Sequence, residues 1–374
     1  MNTFPKDSAV QTATYTVKEV PKSDFNQIID LWSLAFNIED ADPVTGTRAA
    51  RDRISALCDR GMDYIVGAYD GDYVAAVAAV IEFPTHLGDA WVNCGGLAGV
   101  ATHPQHRRQK LVNKLISDCL QHMHKREVPL SALWPFDYDF YGAMGWSITD
   151  VRYKIDTLTA KLNKVKGNAR TYKAVDLGEH HEAKATHKKW IQNYNLSMER
   201  SQFRWTQLLF PPGSRRRLFI HKDGYMIWNL SASFEKNLQI TEWCYLTDDA
   251  FRDGLALLAQ MDSQYDHVIW IAPEVDTLYR IAGPSKAHTI TQLPGMMSRV
   301  VHVDAFMESI GAKNNLKIRD PLGVSGPTAD VLGAVTPGSL IQHVTGFWHQ
   351  PEEGLPPELY KVANRFPSFT AEQY

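Results

Sequence analysis

The amino-acid sequence predicts a mixed α/β (α+β) fold in which strands and helices alternate. Three apolar stretches typical of strands, residues 73–83, 91–102 and 129–134, flank a helix that begins near residue 111 and has one apolar face. A second set of strands, followed by a helix and another strand, lies between residues 218 and 272. Because the same order occurs twice, we expect two domains of similar architecture in one chain.

Composition places the chain among ordinary globular proteins. Its 374 residues are 44% hydrophobic and 22% charged, with a formal net charge of -3, and this length is enough for two or three domains. Nucleic-acid-binding domains usually carry a marked basic excess, so the charge disfavours nucleic acid as a partner. The sequence shows no apolar run of about 18 residues, the length of a membrane span. The cysteines are scattered singly and no secretory segment is evident, which predicts a cytoplasmic protein.

The elements before the first apolar strand follow from periodicity. Residues 15–20 alternate like a strand, and residues 47–58 have helical spacing. Between them, a helix is predicted from apolar residues that recur at helical spacing, namely Phe25, Ile28, Ile29, Trp32 and Phe36. Strands then run through residues 64–83. We expect one more strand near residues 151–156 to complete this first sheet.

The junction at residues 97–112 has the character of a diphosphate site. A strand of small residues leads directly into a helix whose first turn carries Arg107 and Arg108. Free backbone N–H groups at a helix start, together with the helix dipole and two guanidinium groups, favour a bound diphosphate. A strand beside such a helix start suggests a coenzyme A pocket.

This junction resembles the acyl-CoA signature of the GCN5-related N-acetyltransferase (GNAT) superfamily, in which an Arg/Gln-x-x-Gly-x-Gly/Ala turn wraps the pyrophosphate of coenzyme A. The turn here is Arg107-Arg-Gln-Lys-Leu-Val112, and Lys110 stands where the family usually has glycine. The segment Phe140-Tyr141-Gly-Ala-Met-Gly-Trp146 resembles the Phe-Tyr-x-x-x-Gly-Phe/Tyr segment that follows the fifth strand in many members. In those proteins the tyrosine faces the thiol of the coenzyme.

The middle of the chain repeats the strand and helix order without the basic turn. Strands are predicted at residues 218–220, 226–230 and 238–246, a helix at 250–261 and a strand at 267–272. The strand-to-helix turn carries Asp248 and Asp249, whose charges favour the helix but repel phosphate. We therefore interpret this part as a degenerate second GNAT-like domain that binds no coenzyme.

The last segment changes character. Residues 297–310 are predicted to form a strand leading into a short helix, and residues 316–321 are predicted to form another strand. Pro337 and Gly338 predict a turn. Helices are expected at 339–347 and 357–364. This arrangement resembles a sterol-carrier-protein-like domain. The predicted domains are therefore residues 1–153, a catalytic GNAT domain; residues 154–284, the degenerate copy; and residues 285–374, the sterol-carrier-like domain.

Taken together, these three parts resemble the Eis (enhanced intracellular survival) family of multi-acetylating aminoglycoside N-acetyltransferases. The resemblance implies acetyl transfer from the co-substrate acetyl-CoA to primary amines, with a tyrosine, here Tyr141, as general acid. It also implies that the terminal carboxylate, here that of Tyr374, is the general base, and that the protein is a hexamer of two trimers. The coenzyme contacts carried over are Val100, Thr102, Arg107, Arg108, Lys110 and Leu111. Thr102 and Lys110 depart from the commoner family residues, so their contacts depend on backbone geometry.

General chemistry supports two proton carriers. An ammonium group must lose a proton before it attacks a thioester, and the departing thiolate must gain one. A free α-carboxyl group has a pKa of about 3.5, which burial would raise, whereas a tyrosine with a pKa near 10 stays protonated at neutral pH. A backbone N–H near Val100 is the expected donor to the developing oxyanion. Two alternatives stay open: Tyr141 as core packing and Tyr374 as a frayed terminus.

Other candidate residues carry weaker signals. Three histidine groups have no third metal ligand at a matching spacing, so no metal is expected and solvated helix positions are favoured; they are His103 with His106, His122 with His124, and His180 with His181 and Glu182. Carboxylates that either line an amine pocket or belong to the plain surface are Glu39, Asp40, Asp42, Glu82 and Asp137. Aromatic residues that form either pocket walls or core are Trp32, Phe36, Phe83 and Trp134.

Three functions remain after the sequence analysis. The leading one is an acetyl-CoA-dependent N-acetyltransferase acting on primary amines of a small cationic substrate, such as an aminoglycoside-like compound, a polyamine or a lysine side chain. The second is a different acyl or aminoacyl transferase on the same tandem scaffold. The third is a non-catalytic module that binds acyl-CoA or lipid. The natural amine cannot be chosen from the sequence.

Overall fold

The computed structural model describes residues 14–36, 46–210, 215–230, 236–314, 316–329, 334–347 and 367–369. The chain divides into two compact units, residues 1–81 with 97–122, and residues 82–96 with 123–374. Each unit is described by itself. The domain boundaries predicted at residues 153 and 284 stay predictions.

The first unit contains strands β1 to β4 and helices α1 to α3, at the positions that periodicity predicts. In chain order they are β1 (Thr16–Glu19), α1 (Phe25–Phe36), α2 (Gly46–Arg60), β2 (Tyr64–Asp70), β3 (Tyr73–Leu87), β4 (Ala90–Thr102) and α3 (Leu111–Lys125). The strand order is β1-β2-β3-β4, and β1 and β3 run antiparallel to β2. Strands β3 and β4 and helix α3 continue into the second unit.

The core of the first unit explains why these segments fold as they do. Helix α1 buries Ile28, Ile29, Leu31 and Trp32 on one face, and the small apolar residues 74–80 of β3 are buried on both sides of the sheet. Helix α3 buries Leu111, Leu115, Ile116, Cys119 and Leu120, the stripe that its sequence predicts. Alanine and valine in β3 allow the helices to approach the sheet closely.

In the second unit, β4 continues the sheet toward a strand from the far end of the chain. This part contains β5 (Leu130–Leu133), α4 (Tyr138–Gly142) and β6 (Ser147–Ile148), and the strand order is β4-β5-β14-β6, where β14 is Met297–Val300. Strand β5 pairs with β4 in parallel, and β14 is antiparallel to both β5 and β6.

The expectation that a strand near residues 151–156 completes the first sheet is wrong. That segment forms β7 (Val151–Leu158), which pairs with β12 (His267–Ala272) and β13 (His288–Pro294) in a second sheet. In the first sheet β14, which is buried throughout, pairs with β5, all four residues of which are also buried. A period of two predicts a strand but carries no information about its partner.

The second sheet has the order β13-β7-β12-β11-β10-β9-β8. Its remaining elements are β8 (Lys173–Val175), α5 (His181–Ile191), β9 (Arg216–His221), β10 (Gly224–Asn229), β11 (Asn237–Tyr245), α6 (Asp248–Ala259) and α7 (Asp276–Ala282). The strands and the helix predicted between residues 218 and 272 are thereby confirmed. Helix α6 packs Phe251 against Trp243 of β11, with ring centroids 4.5 Å apart, in the core of this sheet.

The last described elements are α8 (Val303–Ser309) and α9 (Pro337–Val344). The strand predicted at 316–321 is only an isolated bridge between Ile318 and Val335. Pro337 and Gly338 do not form a turn but begin α9, because Thr336 caps that helix and proline suits its first position. The helix predicted at 357–364 lies outside the described residues. No helix in the described part of the chain is long and apolar enough to cross a membrane.

Candidate functional site

The end of β4 departs from regular strand geometry at Gly99. The pairing of β4 with β5 stops at Gly96, and three residues later Gly99 has a φ of 59°, in the left-handed region. The indole N–H of Trp32 donates a hydrogen bond of 2.6 Å to the Gly99 carbonyl, and a Cβ at Gly99 would lie 2.5 Å from the Trp32 ring. Only glycine fits here, so Trp32 and Gly99 together set the course of Val100 and Thr102.

The loop between β4 and α3 has two non-glycine residues in the left-handed region. Arg108 has a φ of 63° and Lys110 a φ of 58°, directly before α3 begins at the buried Leu111. The family signature has glycine at the second of these positions, and the φ of Lys110 gives the physical reason. Left-handed residues beside right-handed ones turn successive N–H groups toward one concave face, a known anion-binding geometry.

Side chains at this loop are available to a ligand. Arg107, Arg108 and Lys110 are exposed, and none of them makes a side-chain hydrogen bond or ion pair with a described residue. The hydroxyl of Thr102 is buried and has no hydrogen-bond partner among the described residues. A hydroxyl without a described partner and three exposed cationic side chains, all within ten residues of the chain, are groups that a phosphorylated ligand can use.

A cluster of aromatic and imidazole rings supports the loop from the preceding turn. The Tyr15 hydroxyl lies 2.9 Å from Nδ1 of His106, and the Tyr73 ring contacts both His103 and His106 at centroid distances of 5.8 and 5.7 Å. His103 also caps the short turn at Pro104–His106 by accepting the Gln105 N–H. These histidines therefore position the loop, a role that the sequence analysis did not foresee.

Tyr141 lies in the second unit, on helix α4. Asp137 caps this helix by accepting the Phe140 N–H at 2.9 Å. The Tyr141 side chain is 3% exposed, and burial raises the pKa of its phenol to about 12. Its hydroxyl makes no hydrogen bond to a described residue, while the Phe140 and Trp146 rings pack edge-on against it. The phenol is thus protonated and unpaired, with apolar surroundings.

Arg299 of β14 holds the turn that follows Tyr141, and sequence reasoning missed it. Its guanidinium donates to the Met144 carbonyl at 2.6 Å and pairs with Asp320 at 2.6 Å, and both charged groups are fully buried. Gly145 has a φ of 91°, and a Cβ there would lie 3.1 Å from this guanidinium. No local pattern could have revealed a partner 155 residues away along the chain.

The second sheet carries a corresponding tyrosine that the sequence analysis also missed. Leu278, Tyr279 and Gly283 on and after α7 repeat the spacing of Phe140, Tyr141 and Gly145, and Gly283 again has a positive φ, 78°. Tyr279 is 41% exposed, unlike Tyr141. The available signal was the repeated apolar-Tyr-x-x-x-Gly segment after each strand.

The helix start of this second part lacks free positive charge. Asp248 at the beginning of α6 forms an ion pair with Arg280 of α7, and Asp249 pairs with Arg252. Strand β11 pairs with β12 in parallel only over residues 237–239. The acidic first turn predicted from sequence is present, and its carboxylates already have cationic partners.

Several side chains considered for an amine pocket have other partners. Glu82 accepts hydrogen bonds from Arg126 and Asn93, and the carboxylate of Asp137 caps α4. The remaining carboxylates, Glu39, Asp40 and Asp42, lie outside the described residues. Among the aromatic candidates, Trp32 and Phe83 are buried, the Trp134 ring lies 4.0 Å from the Arg152 guanidinium, and Phe36 is half exposed.

The histidine groups also have defined places. His180 is not a solvated helix residue but is buried and stacks on Trp205 at 5.8 Å, because the start of α5 covers that ring. His122 stacks on Tyr64 at 3.9 Å. No group of three or more His, Cys, Asp and Glu side chains in the described ranges is arranged to hold a metal ion.

The structure describes most of the predicted site residues and leaves one outside its described range. The first unit brings together the proposed coenzyme contacts, namely Val100, Thr102, Arg107, Arg108, Lys110 and Leu111. Tyr141 belongs to the second unit. Tyr374, the predicted source of the basic carboxylate, lies outside the described residues.

Comparison with known proteins gives two family matches. Two models, each described as an acetyltransferase (GNAT) domain, match residues 16–149 and residues 196–300. The chain is 24% identical over 260 residues to N-acetyltransferase Eis of Mycobacterium bovis (strain BCG / Pasteur 1173P2), a stretch that is 66% of this chain and 64% of that protein. The match thus spans less than two thirds of the relative's length.

Solved structures share the fold over nearly the whole chain. A protein of Enterococcus faecalis V583 described as a probable N-acyltransferase superposes with a TM-score of 0.78 at 19% identity, covering 96% of this chain and 100% of its own. A GCN5-related N-acetyltransferase from Anabaena variabilis gives 0.77 at 18% identity, with the same coverage. At these identities the likeness concerns the fold alone.

Proposed function

Because the chain is built on two acetyltransferase (GNAT) domains in tandem, as its sequence predicts, we propose that it transfers the acetyl group of acetyl-CoA to a primary amine of a small cationic substrate. The amine is aminoglycoside-like, a polyamine or a lysine side chain. One observation carries the proposal furthest: the left-handed Arg108 and Lys110, with free cationic side chains, directly precede α3.

The residues of the first unit fit a coenzyme that carries a diphosphate. Backbone N–H groups of residues 108–111 at the start of α3 can supply hydrogen-bond donors, and three cationic side chains supply charge. Val100 and Thr102 offer strand backbone beyond the last β5 pair, where an extended ligand can hydrogen-bond, and Thr102 adds its unpartnered hydroxyl. Acetyl-CoA supplies the activated acetyl thioester when bound.

Tyr141 is our candidate for the group that returns a proton to the leaving sulfur. A phenol whose pKa is raised to about 12 remains protonated throughout the physiological pH range and can donate a hydrogen bond to the departing sulfur. The hydroxyl has no hydrogen-bond partner among the described residues, so its proton is available to a ligand. The rings of Phe136, Phe140 and Trp146 surround the Tyr141 ring, and this apolar environment strengthens a hydrogen bond from the phenol to a developing charge.

Several parts of the proposal come from the family resemblance and stay predictions. They are the carboxylate of Tyr374 as general base, the sterol-carrier-like character of residues 285–374 and a hexameric assembly; the cytoplasmic location, predicted from the scattered cysteines, also stays a prediction. A second domain without coenzyme is supported by the acidic first turn of α6, since Asp248 and Asp249 add negative charge there and occupy Arg280 and Arg252, the cations that could otherwise bind a phosphate. We therefore propose one acetyl-CoA site in each chain.

The decisive experiment is a thiol-release assay with the full-length protein. Acetyl-CoA is incubated with a panel containing an aminoglycoside, spermidine and N-α-acetyl-lysine, and free coenzyme A is measured against time. We expect amine-dependent release with at least one member. A parallel series with propionyl-CoA and longer acyl-CoA donors tests whether the donor is a different acyl group.

Two results would overturn the proposal. Tight acetyl-CoA binding by calorimetry without thiol release on any amine would indicate a binding module. Release only with long acyl donors would indicate a different acyltransferase. Calorimetry also gives the stoichiometry, and two acetyl-CoA molecules per chain would contradict a coenzyme-free second domain.

A further inference from the structure

Phe136 is a large apolar side chain left in solvent next to the proposed acid. It is 72% exposed, more than any other large hydrophobic residue in the described part of the chain. Its ring lies 5.4 Å from the Tyr141 ring at an interplanar angle of 69°, and 5.3 Å from the Phe140 ring. An open aromatic face therefore adjoins the buried phenol.

The backbone on both sides of Phe136 is held in place. Pro135, whose ring fixes its own φ, directly precedes Phe136, and Asp137 follows as the N-cap of α4. The Tyr138 hydroxyl donates to the carbonyls of Pro294 and Gly295, each at 3.1 Å. An exposed phenylalanine on an anchored segment is a preorganised contact surface rather than the tip of a free loop.

Charge around Phe136 favours a cation. The side chains of Asp137 and Asp139, one and three residues along, are exposed, and the Asp139 carboxylate makes no hydrogen bond or ion pair with a described residue. The nearby cation Arg152 lies over the Trp134 ring and within electrostatic reach of the buried Asp150. Carboxylates beside an aromatic face attract ammonium groups, and they repel the phosphates of a coenzyme.

We propose that Phe136 is an acceptor-binding residue whose ring binds an ammonium group of the amine substrate by a cation–π contact. The inference rests on the proposed function and names the side of the reaction on which this residue acts. The substrate class is a primary amine that carries at least one further positive charge, because the reacting amine must lose its own charge before it attacks.

The test is steady-state kinetics on the full-length enzyme with Phe136→Ala, Phe136→Leu and Phe136→Trp, using spermidine or the aminoglycoside, since both carry a further positive charge besides the reacting amine. Turnover of N-α-acetyl-lysine alone would overturn the substrate class. For Phe136→Ala we expect the KM for the amine to rise about tenfold, the size of a partly desolvated cation–π contact. The KM for acetyl-CoA should stay within about twofold. Phe136→Trp should retain the wild-type KM for the amine. Phe136→Leu should raise this KM as Phe136→Ala does, because leucine keeps the bulk without the ring quadrupole.

Tyr279→Ala is the matched control, since it removes an exposed aromatic residue from α7 of the same unit and should leave both KM values unchanged. A wild-type KM for the amine in Phe136→Leu would overturn the cation–π contact. An equal rise of both KM values in Phe136→Ala would overturn the assignment to the acceptor side. Absence of transfer by the wild-type enzyme would instead contradict the proposed function, so the two failures are distinguishable.

Discussion

Trp32 and Gly99 fix each other at the end of β4. The indole donates to the Gly99 carbonyl at 2.6 Å, and its ring occupies the space where any larger residue at position 99 would place its Cβ. The left-handed φ of Gly99 and the buried indole thus determine where Val100 and Thr102 point. The loop that we propose to bind the diphosphate follows the end of β4 at Thr102.

Gly99→Ala should destabilise the protein by about 2 kcal/mol or more and weaken acetyl-CoA binding, since alanine meets both backbone strain and the Trp32 ring. Gly71→Ala is the matched control, because Gly71 has a φ of 61° and open space around its would-be Cβ. Chemical denaturation of both variants separates the two effects. Equal losses in the two variants would mean that the ring contact contributes nothing.

Arg107→Ala and Arg108→Ala should each weaken acetyl-CoA binding by roughly 1 to 3 kcal/mol, the value of a charge-assisted contact. Isothermal titration calorimetry measures this directly. Lys114→Ala removes an exposed cation from the first turn of α3 and should change the affinity less. Unchanged affinity in both arginine variants would place the diphosphate elsewhere.

Lys110 allows charge and backbone strain to be separated. Lys110→Ala and Lys110→Gly both remove the cation and should weaken acetyl-CoA binding alike. Lys110→Gly should, however, be about 1 kcal/mol more stable than Lys110→Ala, because only glycine adopts a φ of 58° without steric cost. Unfolding midpoints in urea check the difference, and identical stabilities would argue against the left-handed conformation.

Tyr141→Phe should reduce turnover about 100-fold or more while acetyl-CoA affinity stays unchanged, because the ring packing is preserved and only the proton donor is lost. Tyr279→Phe, at the corresponding position after β12, should keep wild-type turnover. Since the pKa of Tyr141 is raised to about 12, deprotonation of this phenol should not lower the wild-type rate between pH 7 and 10. Full turnover in Tyr141→Phe would remove the acid role.

His187 should make the free energy of unfolding depend on pH. It is buried on α5 beside the Arg200–Glu242 ion pair, and burial, followed by the Arg200 charge, lowers its pKa to about 3. With an unfolded pKa near 6.5, the unfolded chain binds the extra proton between those values, so stability falls as pH falls below about 6.5.

The measurement is chemical denaturation at pH 7 and pH 5. His187→Phe should lose about 2 kcal/mol less than the wild type over this interval, because the variant has no imidazole to protonate on unfolding. His181→Phe, at an exposed position on the same helix, should lose as much as the wild type. A wild-type loss in His187→Phe would show that the buried imidazole is not the group responsible.

The sequence predicted the helices and strands well, but it did not predict which strands pair or which distant residues contact each other. Most predicted helices and strands lie where the apolar spacing places them, because burial of one face imposes that spacing on the chain. The segment at 151–156 was correctly predicted as a strand and assigned to the wrong sheet, while β14, far along the chain, covers β5 instead. Arg299 enters the surroundings of Tyr141 through that same long-range pairing.

By itself, then, the sequence determined the fold class, the two acetyltransferase-type domains and the basic loop before α3, since periodicity, charge and short motifs are local properties of a chain. Only the tertiary structure decided that Lys110 lies in the left-handed region and that Trp32 donates a hydrogen bond to the Gly99 carbonyl. The same holds for the hydrogen bonds that Glu82 and Asp137 accept within the protein. Backbone dihedral angles and hydrogen-bond partners depend on which segments pack together, and packing is settled by contacts between residues that are distant in sequence.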